Sequence, residues 1–144
     1  MAKKKIRSSR ELVKTPIVDK DQFEFLRAIL KKRTVMPIEI VTGSMVPLIS
    51  VGEVIQVAPL NKTPKRFDII VFWNKKILVC HYIWHCNSLE VQSGKQTFVT
   101  RGLVNPHEDI PCDEERILGR VISHKIPKSM RVKQWFKTFL GRQR

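Results

Sequence analysis

The sequence predicts a mainly β domain with one helix before it and one after it. Between Pro37 and about Ile122, the residues Val, Ile, Phe and Thr occur in short runs that Gly, Pro and Asn interrupt, which is typical of a β-rich body. Apolar residues recur at helical spacing on either side of this region. A length of 144 residues suits one domain with a modest core.

Residues 1–18 are predicted to form a flexible basic arm. They lack hydrophobic periodicity, and the run Lys3-Lys4-Lys5-Ile6-Arg7 makes them strongly cationic. We expect the main domain to span residues 19–126, and residues 127–144 to form a basic amphipathic helix or tail.

A short helix is predicted at the start of the main domain. Phe23, Leu26 and Leu30 repeat at helical spacing, and three consecutive cations follow them, which suits a helix C-terminus. Either Asp19 or Asp21 can cap the first turn, because a carboxylate accepts hydrogen bonds from the free amides there.

Seven strands are predicted in the β-rich body, each bounded by residues that favour turns. We expect them near Ile38–Val41, Val54–Ala58, Asp68–Trp73, Ile77–Trp84, Leu89–Gln92, Phe98–Arg101 and Ile117–His124.

The C-terminal segment is predicted to form an amphipathic helix. Its apolar face comprises Val132, Trp135, Phe136, Phe139 and Leu140. The cations that surround this face are Lys128, Arg131, Lys133, Lys137 and Arg142. The pattern fits a helix on an anionic membrane surface equally well as a helix packed on the body with a solvated basic rim, so both alternatives remain open.

The charge of the chain favours an anionic partner. It has 27 Lys and Arg against 13 Asp and Glu, a formal net charge of +14, and the excess collects at the two ends. Apart from the C-terminal apolar face, the tails lack aromatic residues at base-stacking spacing. We therefore expect a membrane surface rather than nucleic acid as this partner.

Location is indicated by what the sequence lacks. No apolar run approaches the roughly 20 residues that span a bilayer, and the start has no apolar signal-peptide segment. Cys80, Cys86 and Cys112 show no secreted disulfide spacing. We expect a cytoplasmic or peripherally membrane-associated protein.

The motif Thr42-Gly43-Ser44-Met45-Val46-Pro47 offers a candidate nucleophile. A serine hydroxyl needs an exposed backbone position and a neighbouring base before it can attack, and the flanking Gly43 and Pro47 supply a bend. A Gly-Ser step before a proline is on its own an ordinary turn, so the wider context has to decide.

The stretch from Thr42 to Ile55 resembles the nucleophile box of type I signal peptidases, in which Ser-Met-x-Pro precedes a Gly-acidic step and a strand. A second box follows: the run from Lys65 to Phe72 is similar to the family segment in which an Asp opens an apolar strand. The resemblance covers roughly residues 38–124. It implies a serine endopeptidase with the family's catalytic β-fold, without a metal or cofactor.

The resemblance also implies the base and its partner. His81, in the strand Ile77 to Ile83, stands where the endoplasmic-reticulum and archaeal-like branch has histidine and other branches have lysine. The run Phe98 to Asp109 is similar to the box that leads into a catalytic aspartate, which places Asp109 at that position. A run from Ile117 to Ile122 resembles the family's closing strand.

Other site roles are implied by the same family. The Thr42 hydroxyl stands where the family has a side-chain donor to the oxyanion, beside the Ser44 amide. Met45 is expected to line either the substrate channel or the core. The family binds its polypeptide substrate extended along a strand edge, with shallow pockets for small side chains before the cut.

The chain departs from the family at three points. Leu103 replaces an aspartate after Gly102, and Phe67 replaces a glycine before Asp68. We expect no counterpart of the family's N-terminal membrane anchor, and the helix around Phe23 to stand in its place. Leu103 removes an acidic group from near the site, which is the main argument for a catalytically silent relative that binds peptides or acts as a scaffold.

Two further alternatives follow from the residues. The run Cys80 to Cys86 contains two Cys and two His, the usual zinc ligands, but in a strand His81 and His85 share one face while both cysteines lie on the other. A self-cleaving repressor would explain the basic charge, yet it needs a DNA-binding domain and a lysine base.

His85 is expected to be a polar residue at a strand end whose hydrogen bonds are satisfied. His107 and His124 are expected on the surface.

Overall fold

The computed structural model describes residues 17–87, 94–104 and 107–142. Most of the predicted basic arm and the predicted strand at Leu89–Gln92 lie outside the described residues. The last residue of the predicted arm, Val18, belongs to the folded body: it is buried, its amide donates to the Lys76 carbonyl, and its carbonyl accepts from the Trp73 indole.

The first helix, α1, spans Lys20–Arg33 as the sequence predicts. Of the two candidate caps, Asp19 is the one used: its carboxylate accepts from the Gln22 amide, and the Gln22 side chain accepts from the Asp19 amide. The helix packs by its apolar stripe, since Phe23 and Leu30 are buried and the Phe23 ring stacks on Trp73.

Within the described residues, the body is one antiparallel sheet of seven strands, and the fold is mainly β. In chain order the strands are β1 Met36–Glu39, β2 Val54–Ala58, β3 Ile69–Trp73, β4 Leu78–Cys86, β5 Thr97–Arg101, β6 Cys112–Asp113 and β7 Ile117–Val121. Their order across the sheet is β1-β2-β7-β3-β4-β5-β6. A single 3₁₀ turn, Glu114–Arg116, precedes β7, and the second helix, α2, spans Lys128–Arg142.

The core lies on both faces of the sheet, which explains the continuous apolar run in β3. Ile69 and Val71 pack into the larger cluster with α1, whereas Ile70 and Phe72 pack into a smaller cluster on the opposite face. A central strand that is covered on both sides needs apolar residues at every position rather than at alternate ones.

The predicted strands that fall within the described residues agree with the observed ones except at their ends. The last strand stops at Val121, three residues before its predicted end, and Ser123 and His124 form side-chain hydrogen bonds instead. The two-residue strand β6 has no counterpart in the prediction, because its short sequence carries no alternation. None of the described helices is both long and apolar enough to cross a membrane.

Candidate active site

Ser44 lies in the loop between β1 and β2, and this loop is fastened to the core from both sides. The Met45 side chain is 1% exposed and Ile49 is fully buried, so the turn is anchored by apolar packing. The Ser44 carbonyl accepts hydrogen bonds from the amides of Leu103 and Val104, at 2.8 and 3.3 Å. The backbone of Ser44 is therefore held in place while its side chain remains half-buried.

Thr42 stands directly beside the candidate nucleophile. Its Oγ1 lies 3.3 Å from Ser44 Oγ, within hydrogen-bonding distance. In the described part of the chain the Ser44 hydroxyl bonds to Thr42 and not to His81. Ser44 Oγ and His81 must therefore come closer before the hydroxyl can donate to this base.

His81 and Asp109 form a hydrogen-bonded pair across 28 residues of sequence. His81 Nδ1 lies 2.5 Å from Asp109 Oδ2, and the two side chains are 14% and 33% exposed. Thr100 holds the same carboxylate oxygen from the other side, because its hydroxyl donates to Oδ2 at 2.7 Å and its carbonyl accepts from the Asp109 amide at 2.9 Å. The carboxylate fixes the orientation of the imidazole ring.

The other ring nitrogen of His81 faces Ser44 across Gly102. A Cβ atom on Gly102 would lie 3.2 Å from His81 Nε2, 3.2 Å from Ser44 Cβ and 2.9 Å from the Ser44 carbonyl oxygen. The side chains of the serine and the histidine thus converge on the space that glycine leaves empty. Glycine is needed here for close approach, not for an unusual backbone angle.

The electrostatic state of Asp109 suits an ion-pair role. Burial alone would raise the pKa of its carboxyl, but the hydrogen bonds from His81 and Thr100, together with the charge of His81, lower the pKa on balance. Asp109 is therefore ionised at neutral pH and can stabilise a positive imidazolium.

These residues open into a groove of about 750 Å³. Ser44, His81 and Asp109 lie in it together with Thr42, and apolar side chains from the hairpin of β3 and β4, among them Leu78 and Val79, form one wall. Cys112 also lines the groove, but burial raises the pKa of its thiol to about 11, so it is protonated and a poor nucleophile.

The chain matches no family model, no curated protein and no solved structure. Its function is therefore argued from its own residues. In the described ranges, no group of three or more His, Cys, Asp and Glu side chains could hold a metal ion.

The predicted residues Ser44, His81, Asp109 and Thr42 come together in the structure. Met45, for which the sequence left the channel and the core open, lies in the core. Leu103 is also a core residue, and its amide holds the Ser44 carbonyl, so this departure from the family pattern has a packing role.

Two site residues were not singled out from the sequence. Thr100 and Gly102 lie in the run Phe98 to Asp109, but the role of Thr100 depends on its hydrogen bond to Asp109, and that of Gly102 on its close contact with Ser44 and His81, which are distant in sequence. The glycine in that run was the one signal that the sequence offered for them.

The other three histidines lie outside the groove of Ser44. His124, expected on the surface, is partly buried, and its Nε2 lies 2.8 Å from Glu53 while its Nδ1 lies 2.8 Å from the Ser123 hydroxyl. His85 is a partly buried residue next to the last residue of β4, and His107 is exposed.

Proposed function

We propose that the chain is a serine endopeptidase that cleaves extended precursor polypeptides, including signal-like or leader-like segments. The observation that carries this proposal is the arrangement of His81, which bonds Asp109 through Nδ1 and turns Nε2 towards the side chain of Ser44. A partly buried carboxylate, an imidazole oriented by it and a neighbouring hydroxyl are the parts that activate a serine for acyl transfer.

The chemistry divides into two steps. Ser44 Oγ attacks the scissile carbonyl carbon as its proton passes to His81 Nε2, and Asp109 stabilises the imidazolium that forms. His81 then gives that proton to the leaving amine as the C–N bond breaks and the acyl group stays on Ser44. In the second step His81 takes a proton from water, the hydroxide attacks the ester, and the proton returns to Ser44.

The developing oxyanion needs donors that are fixed before the reaction. The Ser44 amide and the Thr42 hydroxyl are the candidates, because Thr42 Oγ1 already lies 3.3 Å from Ser44 Oγ. As Ser44 turns towards His81, the Thr42 hydroxyl is released from it and becomes free to donate to the oxyanion.

A strand edge beside the groove supports an extended substrate. β4 pairs with β5 only from Tyr82 onwards, whereas Leu78 to His81 pair with β3 alone. In the described ranges, this first half of β4 therefore has one edge without a partner strand, and it runs into the groove at His81. An extended polypeptide can add to such an edge through main-chain hydrogen bonds.

The test is cleavage of a denatured proteome-derived peptide library, in which new termini are identified by mass spectrometry. We expect the wild-type chain to produce new termini at a consistent motif and Ser44→Ala to produce none. Ser50→Ala is the matched control, since it removes an exposed hydroxyl from the same loop and should leave cleavage unchanged. Equal cleavage by Ser44→Ala and wild type would refute the proposal.

A second candidate function is peptide binding without cleavage. It is favoured by the Ser44 hydroxyl, which bonds to Thr42 instead of His81, and by Leu103 in place of an acidic residue. Under this alternative, wild type and Ser44→Ala would enrich the same extended peptides from the library, and neither would cut them.

A further inference from the structure

The C-terminal helix α2 is turned with its apolar face away from the body. The large side chains on that face are exposed, with Phe136 at 63%, Phe139 at 64% and Leu140 at 60% of their surface, whereas the polar Gln134 is 4% exposed. The other helix, α1, shows the ordinary arrangement and buries Phe23 and Leu30. At 3.6 residues per turn, Gln134 and Thr138 lie on the side of α2 opposite the apolar face.

Polar contacts hold α2 in this orientation. The Gln134 side chain accepts from the Tyr82 hydroxyl at 2.9 Å and donates to the Leu103 carbonyl at 3.4 Å. Arg101, 2% exposed, donates to the Thr138 hydroxyl at 2.7 Å and to the Gln134 carbonyl at 3.4 Å. A buried guanidinium needs these acceptors, because its desolvation is otherwise costly. The polar side of α2 thus packs against the body.

The apolar face of α2 continues into a groove of about 830 Å³ between the helix and the end of β4. Trp135 and Trp84 meet edge to face there, with ring centroids 4.7 Å apart, and the Arg66 guanidinium lies 4.8 Å from the centroid of Trp135. The exposed apolar surface is therefore larger than the helix alone, and it has a cation at its edge.

The charged residues of α2 itself are all basic. α2 contains no acidic residue, and Lys128, Lys133 and Lys137 are exposed on it. An aromatic apolar face with lysines along its flanks is the composition of helices that lie in the headgroup region of anionic bilayers. An acidic bilayer surface also complements the net charge of +14.

We propose that α2 docks the protein on the surface of an anionic membrane, with Trp135, Phe136 and Phe139 inserted among the lipids and the lysines at the headgroups. The proposal concerns a surface outside the groove of Ser44 and does not depend on the peptidase activity.

The experiment is flotation of the full-length chain with phosphatidylcholine vesicles that contain or lack phosphatidylglycerol. We expect the wild type to float with the phosphatidylglycerol vesicles and to bind pure phosphatidylcholine far more weakly. The double variant Phe136→Ser/Phe139→Ser should bind at least about tenfold more weakly, since it loses two aromatic rings that would insert among the lipids but loses no charge. The matched control is Phe25→Ser, which removes an aromatic residue that is 66% exposed on α1 and should bind as the wild type does.

Three results would overturn the proposal. They are failure of the wild type to float with phosphatidylglycerol vesicles, equal flotation of the double variant, and a self-association of the wild type that the double variant abolishes. The last would mean that a second copy of the chain covers the face, and analytical ultracentrifugation of each variant without vesicles detects it. Because both substituted side chains are exposed, the double variant should keep its fold, which its circular dichroism spectrum checks.

Discussion

At the scale of single residues, the close approach of Ser44 and His81 depends on glycine at position 102. Gly102 leaves open the space between Ser44 and His81, and a methyl group there would stand 3.2 Å from His81 Nε2. We expect Gly102→Ala to lower kcat about a hundredfold, because a misplacement of about 1 Å in the reacting groups has that effect. Peptide cleavage measures it. A fully active, folded Gly102→Ala protein would show that serine and histidine need not converge there.

Substitutions at Thr42 can distinguish a hydrogen bond from its hydroxyl to the oxyanion from a role of its side chain in packing. We expect Thr42→Val to lower kcat by about 10² to 10³, the usual loss when one oxyanion donor is removed, with little change in KM. Thr42→Ser keeps the hydroxyl and should retain most of the activity. If Thr42→Val and Thr42→Ser were equally active, the hydroxyl would have no part in the reaction.

The lowered pKa of Asp109 predicts that the stability of the folded protein depends on pH. Folding lowers the pKa of Asp109 below the value of about 3.9 that it has in the unfolded chain. Between these two pKa values the unfolded state binds more protons than the folded state, so the free energy of unfolding rises with pH in that range. The advantage of wild type over Asp109→Asn should be complete above about pH 5 and shrink as pH falls through the lower folded-state pKa. Urea unfolding midpoints across this range measure it, and a difference that stays constant with pH would contradict the assignment.

At the scale of elements, Phe67 links the strand β3 to the helix α2. Its φ angle is 71°, in the left-handed region that favours glycine, and the family that the sequence resembles has glycine there. The Phe67 ring stacks on Tyr82, with centroids 5.9 Å apart, and lies under the Arg131 guanidinium of α2. The side chain thus contributes a contact for the helix at the expense of backbone strain.

This strain reverses the usual order of glycine and alanine. Both Phe67→Gly and Phe67→Ala lose the ring, but only glycine relieves the backbone, so Phe67→Gly should be more stable by about 1 kcal/mol. At Val54, an exposed residue of β2, Val54→Gly should instead be less stable than Val54→Ala by about 0.5 to 1 kcal/mol. Denaturant unfolding compares the two pairs. The same order at both positions would argue against strain at Phe67.

The sequence predicts the elements well and their contacts poorly. The helix α1, the limits of β2 and the apolar run of β3 follow from local rules, and the structure agrees with them, whereas the choice of Asp19 over Asp21 as the cap came from the structure. The orientation of α2 does not follow, because an amphipathic pattern is the same whichever face the body takes. Here the deciding contact is the buried Arg101, which comes from a strand more than 30 residues earlier.

At the scale of the whole molecule, β4 connects the two surfaces that carry the proposals. Its first half lines the groove of Ser44 with Leu78, Val79 and His81, and its last residues, Trp84 to Cys86, line the apolar groove beside α2. At about 3.3 Å per residue, His81 and the apolar groove are only about 10 to 16 Å apart along the strand. Docking through α2 would therefore hold the candidate active site close to the membrane surface.

The candidate site is also a product of the whole fold. The sequence could offer Ser44, His81 and Asp109 only through a resemblance, because they lie in three separate segments of the chain. The sheet brings β4 and β5 together, Thr100 then fixes Asp109 against His81, and Leu103 holds the serine loop. These contacts could not be read from spacing.

If Ser44 is an activated nucleophile, as proposed, it should react covalently with a serine-directed phosphonate. The full-length chain is incubated with a peptide diphenyl phosphonate that ends in alanine, and the modified residue is located by mass spectrometry. We predict a single adduct on Ser44 in the wild type and in Ser50→Ala, no adduct in Ser44→Ala, and strongly slowed labelling in His81→Ala. An adduct on another residue, or equal labelling of Ser44→Ala and wild type, would show that Ser44 is not the activated nucleophile.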